Sequence, residues 1–243
     1  MNQAERGIAE NRAIQPQSCG MDWIDRFQLF LFDFDGLLVD TEKVHFAAYE
    51  KALKKRGYSL DWSFFRYCEY AHLSADALRK ALTEKFPSLA QDWTSFYQEK
   101  KESYVSLLQE GKISLMPGVE KLLIALEKRG TRRCVATHSS LQQVLLIRSQ
   151  LPILDSIPHW ITREDYHEPK PNPECYLKAI SLYGKSKDRI IGFEDSLRGL
   201  EALKKTEKVL PVLICQGNHP LLAGWEGGLR FDSFEVIKNL HEA

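Results

Sequence analysis

Four bulky apolar residues, Leu29-Phe30-Leu31-Phe32, run straight into Asp33 and, two positions later, Asp35. Such a run reads as a strand buried on both faces, the kind found where helices cover both sides of a sheet. Side chains alternate along a strand, so both carboxylates can project to one side where it ends. Gly36 then permits a tight exit that a Cβ would hinder. Two neighbouring carboxylates repel, and one takes up a proton unless a cation sits between them. The pattern suits a hard, oxygen-preferring cation combined with an acid and a nucleophile. A calcium loop is excluded, because its third acidic position is Leu37 here and its glycine position is Leu38.

Three later segments also place chemistry at the ends of apolar runs or beside helix starts. Cys134–Ala136 reads as a short buried strand, followed by Thr137-His138-Ser139-Ser140 and a helix from Leu141 capped by Ser139 or Ser140. Free N–H groups and the positive end of the helix dipole suit that place to a phosphate. In Glu168-Pro169-Lys170-Pro171-Asn172-Pro173, the alternating prolines predict a stiff extended segment holding Lys170. Asn172 is expected to cap a helix that Pro173 begins. A lysine on such a loop can set a point charge against a phosphoryl group and a carboxylate together. Finally, the apolar run Ile190–Phe193 ends in Glu194 and Asp195, with Asp195 or Ser196 as the next helix cap. This second carboxylate pair completes an oxygen cage suited to Mg²⁺.

In this order the four segments, and above all FDFDGLLVDTE at residues 32–42, resemble the motifs of the haloacid dehalogenase superfamily. The continuation DGLLVDTE is similar to the branch containing β-phosphoglucomutase and small sugar-phosphate phosphatases. The resemblance spans roughly residues 28 to 240. It implies that Asp33 attacks phosphorus to form an aspartyl-phosphate, and that Asp35 is the general acid and base. It implies Mg²⁺ held by the Asp33 carboxylate, the Asp35 carbonyl and Asp195, with Glu194 close by or bound through water. Thr137, the N–H of His138 and Lys170 would grip the phosphoryl oxygens. His45 matches a histidine that assists the acid/base aspartate, and His72 and Ser74 fall in a substrate-facing loop. In that loop the chain departs from the branch: His72 replaces a usual glycine, and Ala75 replaces the phosphate-gripping arginine of the mutase.

The βα alternation predicts an α/β fold, a doubly wound parallel sheet, with strands near 28–33, 132–137, 158–162, 189–194 and 209–215. Helices are expected near 117–129, 141–150, 173–183 and 197–205. Residues 42–114, of helical periodicity, read as an inserted α-helical cap, and Met116-Pro117-Gly118 marks the return to the core. The catalytic core then comprises 25–41 and 115–243, preceded by a polar, flexible tail over 1–24. Met21 is a candidate true start in place of Met1. Trp62, Phe64, Phe65, Tyr67 and Tyr70 are expected to form the core of the cap.

A net charge of zero without a basic stripe gives no support to nucleic-acid binding. The five scattered cysteines, with no CxxC pair, read as reduced thiols of a cytoplasmic protein. No apolar run is long enough to span a bilayer, and a monomer is the default. The activity that the resemblance implies is Mg²⁺-dependent hydrolysis of a small phosphorylated metabolite, a sugar phosphate. A phosphohexomutase is the alternative, and a silent binding or regulatory protein on the same fold is the third reading.

Overall fold

The computed structural model describes residues 21–111, 113–217, 219, 222, 225, 227–238 and 240. Among them, six strands form one wholly parallel sheet. They are β1 (Leu29–Phe32), β2 (Arg132–Ala136), β3 (His159–Ile161), β4 (Ile190–Glu194), β5 (Val209–Ile214) and β6 (Leu229–Phe231). Their spatial order is β3-β2-β1-β4-β5-β6. β1 is therefore central, with Leu29 paired to both Arg132 and Ile190, and Phe32 to both Val135 and Phe193. The five strands expected from the sequence are all present. β6 was not expected: its three residues are only half-buried and too short to show a period.

Eight helices accompany the sheet among the described residues. Four lie between β1 and β2: α1 (Glu42–Lys55), α2 (Phe64–Ala71), α3 (Ala75–Lys85) and α4 (Trp93–Gln109). The others are α5 (Val119–Lys128), α6 (Leu141–Arg148), α7 (Glu174–Tyr183) and α8 (Leu197–Lys204). Ser140 caps α6 in a full capping box with Gln143, and Ser196 caps α8 by accepting from the Gly199 N–H at 3.3 Å. Pro173 precedes α7 instead of beginning it, and the Asn172 side chain accepts from the Glu174 N–H at 3.0 Å.

Alternation along β1 divides the core. Phe30 and Phe32 enter one apolar cluster with Trp23, Leu122, Phe193 and Phe234, whereas Leu29 and Leu31 enter another with Cys134, Ala136 and Tyr176. A third cluster lies wholly within the helical segment, built on Tyr49, Leu53, Tyr67, Leu82 and Phe96. Trp62, Phe64 and Tyr70 pack against it as expected, but Phe65 is 47% exposed because it falls on the outer side of α2. The tail was expected to reach residue 24. Instead Asp22–Arg26 forms a 3₁₀ turn that buries Trp23 and Ile24, since those two large side chains find space in the first cluster. Residues 1–20, including Cys19, lie outside the described residues. Cys68, Cys134, Cys175 and Cys215 are buried free thiols. Among the described residues no helix is long and apolar enough to cross a membrane.

The strand order reverses across β1, with β2 on one side and β4 on the other. In parallel α/β sheets ligands bind outside the carboxyl ends of the strands at such a reversal. Aromatic packing holds these strands in place. Phe193 stacks on Phe32 at 5.5 Å and meets Phe234 at 5.2 Å, with no exposed surface. Replacing Phe193 by alanine should cost about 3–5 kcal/mol, read as a lowered midpoint in denaturant unfolding with unchanged slope.

Candidate active site

Asp33 follows β1, Glu194 ends β4, and Lys170 reaches between them from the loop before α7. The Lys170 ammonium donates to Asp33 Oδ1, to Glu194 Oε1 at 2.7 Å and to the carbonyl of Ala136 at 2.9 Å. The side chains of Lys170, Asp33 and Glu194 are 7%, 13% and 1% exposed, so the charges meet out of water. Burial alone would strip the Lys170 proton, but Asp33 and then Glu194 outweigh it and hold its pKa well above the ordinary value. The segment carrying Lys170 is a tight turn, not the extended stretch expected from its prolines. The Lys170–Pro171 bond is cis, and the Asn172 N–H closes back on Pro169 O at 3.0 Å. The Tyr176 hydroxyl donates to the same Glu194 oxygen that Lys170 contacts, and no local pattern in the sequence marks that role.

Asp195 completes the oxygen cluster. Carboxylate oxygens of Asp33, Glu194 and Asp195 lie within 4.8 Å of one another. Burial first, and then repulsion from Asp33 and Glu194, push the Asp195 pKa far up, and burial likewise raises Asp33. Two glycines make room for this crowding. A Cβ on Gly36 would lie 2.2 Å from Asp195 Oδ2, and one on Gly199 would lie 2.0 Å from the Glu194 carboxyl carbon. Gly36 also has φ +78°, which few other residues adopt. An all-oxygen, buried and mutually repelling donor set fits Mg²⁺, with Asp33 and Asp195 as the carboxylates least occupied elsewhere.

Asp35 lies apart from the lysine. Its Oδ2 accepts from Ser139 Oγ at 2.6 Å and from Thr137 Oγ1 at 3.2 Å, while Oδ1 is buried and unpaired among the described residues. Burial raises its pKa, and the hydroxyls of Ser139 and Thr137 pull it back down. Thr137 is fully buried, and its Oγ1 also accepts from the Ser139 N–H at 3.0 Å. His138 is exposed beside it, with Nδ1 3.0 Å from the Tyr166 hydroxyl. The sequence presented Ser139 only as a possible helix cap; its bond to Asp35 depends on two segments that meet only in the fold.

The helical segment contributes a second charged cluster. His45 stacks on Tyr104 at 4.0 Å, and its Nδ1 lies 2.7 Å from Lys100 Nζ. The charge of Lys100, 5% exposed, is felt by Glu42 and Asp35. Burial pulls Lys100 down to about 8, and burial with the Lys100 charge pulls His45 down to about 3. Lys100 looked like any lysine of a charged helix in the sequence. Ser74 uses its hydroxyl to cap α3, accepting from the Ala77 N–H at 3.0 Å. His72 lies 3.7 Å from a Glu42 oxygen.

A neutral His45 links folding to pH. An unfolded histidine titrates near 6.5, so His45 supports the native state fully above that value and progressively less as pH falls toward 3. Between pH 7 and pH 5 this amounts to about 2 kcal/mol of stability lost. Unfolding of His45→Gln should show that much less loss over the same interval, and imidazole NMR signals should show His45 still neutral at pH 5.

Comparison with known proteins places the chain in a family. Residues 30–209 match the family model of the haloacid dehalogenase-like hydrolases. Protein CbbY of Cereibacter sphaeroides is 30% identical over 186 residues, covering 73% of this chain and 80% of the relative. A phosphorylated carbohydrates phosphatase of Thermotoga maritima is 27% identical over 176 residues, covering 72% and 79%. The structure of a CbbY mutant from Rhodobacter sphaeroides with xylulose-(1,5)-bisphosphate superposes with a TM-score of 0.67 at 24% identity, covering 87% of this chain and 96% of that one. The fold, the strand-end carboxylates and these relatives together show that the chain belongs to the haloacid dehalogenase-like hydrolase family, in its branch of phosphoric monoester hydrolases.

Proposed function

We propose that the chain hydrolyses a small phosphorylated metabolite, a sugar phosphate, through an aspartyl-phosphate on Asp33 with Mg²⁺ as cofactor. The observation that carries this reading is the Lys170 ammonium bridging Asp33 and Glu194 at the switch point of the sheet, with Asp35 held separately by hydroxyls. In the first half-reaction an Asp33 oxygen bonds to phosphorus as the bond to the leaving oxygen breaks, and Asp35 gives that oxygen its proton. In the second, Asp35 takes a proton from water as the water oxygen bonds to phosphorus and the Asp33–phosphorus link breaks. This is nucleophilic catalysis joined to general acid–base catalysis.

Hydrolysis of a phosphate monoester can demand an acceleration of up to ~10²¹, about 28 kcal/mol, of which proton transfer supplies only ~10²–10⁴. Positioning and charge stabilisation must supply most of the rest. Lys170, the Thr137 hydroxyl and the N–H of His138 are assigned to the non-bridging oxygens. Bound at Asp33 and Asp195, with Glu194 adjacent, Mg²⁺ would keep the carboxylates ionised and offset the phosphoryl charge. Residues 42–114 are proposed as a cap that shields the reaction from water, supported by their separate apolar cluster and by the electrostatic pull between Lys100 and Asp35. A sugar-phosphate substrate is favoured by the relatives that are phosphatases of phosphorylated carbohydrates. Mutase chemistry is disfavoured, because Ala75, the first residue of α3, offers no cation to a second phosphate.

Phosphate release from a panel of sugar phosphates, nucleotides and other monoesters, with Mg²⁺ and with EDTA, tests the proposal. Release is expected only with the metal. Asp33→Asn should lose turnover entirely while folded, and Asp35→Asn should fall by about 10²–10⁴ while still binding phosphate. Turnover by folded Asp33→Asn would remove the nucleophile assignment. Isomerisation of glucose 1-phosphate in the presence of a sugar bisphosphate would overturn hydrolysis in favour of the mutase.

A further inference from the structure

The helical segment and the sheet meet at a group of side chains that the proposed reaction does not use. Cys68 lies near the end of α2 and His72 one turn later, so the two share one face of that helix end. His219 comes from the far side of the junction, in the loop after β5. The Cys68 sulfur and one ring nitrogen from each histidine all lie within 4.8 Å of one another. The His72 and His219 rings are 4.8 Å apart, tilted by 45°.

A second observation singles out His72. Its side chain is only 10% exposed, and neither ring nitrogen has a hydrogen-bond partner among the described residues. The nearest acceptor is a buried Glu42 oxygen, 3.7 Å from Nε2, which pairs with His72. A histidine that ligates a metal with one nitrogen usually gives its other N–H to a carboxylate, and Glu42 is placed for that role. His72 also stands where the resemblance leads one to expect glycine, so the branch's shared chemistry does not account for it.

We propose that Cys68, His72 and His219 form a second metal site, for a borderline-soft divalent ion of the Zn²⁺ class, bridging the helical segment and the sheet. One thiolate and two imidazoles are a zinc donor set, whereas Mg²⁺ takes oxygen. Ligand atoms around a tetrahedral zinc ion are about 3.5 Å apart, so side-chain shifts of roughly 1 Å suffice to close the site. Three protein ligands leave a fourth position for water. Loading forms a sulfur–metal bond and releases the thiol proton to solvent. An ion held here would fasten α2 to the loop after β5 and resist separation of the two parts.

The test is titration of the full chain with Co²⁺ alone, in an Asp195→Asn background that disables the oxygen cluster. The site should take one equivalent, with a near-ultraviolet thiolate charge-transfer band and the intense visible bands of tetrahedral Co²⁺, all bleached by Zn²⁺. Cys68→Ser should abolish the charge-transfer band. His219→Gln, a partly buried loop change, should weaken affinity at least tenfold with the circular dichroism unchanged, and so serves if Cys68→Ser misfolds. Absence of a thiolate band, or equal affinity in folded His219→Gln, would overturn the proposal. These readouts involve no turnover and stand apart from the test of phosphatase chemistry.

Discussion

One buried ammonium organises the carboxyl end of the sheet. Lys170 faces Asp33 and Glu194 with almost no water around the three charges. Removing one partner of a buried ion group commonly costs about 3–5 kcal/mol, because the remaining charge is left uncompensated. The arrangement draws on β1, the end of β2, the loop before α7 and β4, since Lys170 also contacts the Ala136 carbonyl. The same charge that holds the fold together at this point would hold the nucleophile ionised and face a transferring phosphoryl group. A structural demand and the proposed catalytic one therefore fall on a single side chain.

The surroundings are shaped by that demand. Four carboxylates, those of Asp33, Asp35, Glu194 and Asp195, gather where the strand order reverses, and they are handled in different ways. Glu194 is satisfied by Lys170 and Tyr176, and Asp35 by Ser139 and Thr137. Asp195 is left crowded against Asp33, in space kept open by Gly36. Environments that differ this much would let neighbouring acids take the different roles proposed for them: a nucleophile, a proton donor and a ligand. The helical segment adds the Lys100 charge toward Asp35 while His45 is kept neutral beside it.

What the sequence disclosed was whatever local pattern could encode. Strand ends followed by Asp, Thr or Glu-Asp were visible because packing alone gives an apolar run no reason to end in paired acids or hydroxyls. The helix caps were legible to within two neighbours, Ser139 or Ser140 and Asp195 or Ser196, of which the fold uses Ser140 and Ser196. Tyr176, Ser139 and Lys100 were not legible, because their roles depend on partners 18, 104 and 55 residues away. The turn at Lys170 escaped because a proline pattern restricts the residues before it without choosing the isomer of the bond. Trp23 and Ile24 escaped because a polar stretch ahead of them masked two residues with core volume. Glycines that accommodate a distant carboxylate, as Gly199 does for Glu194, leave no local trace at all.

The measurement that bears most directly on the central claim is identification of the phosphorylated residue during turnover. The protein would be mixed with a substrate it hydrolyses, quenched rapidly in acid, digested and read by mass spectrometry. The account predicts a transient gain of one phosphoryl group on the peptide containing Phe32–Gly36, located at Asp33. A phosphoryl group on a different residue, or turnover with no phosphorylated protein at any quench time, would contradict it.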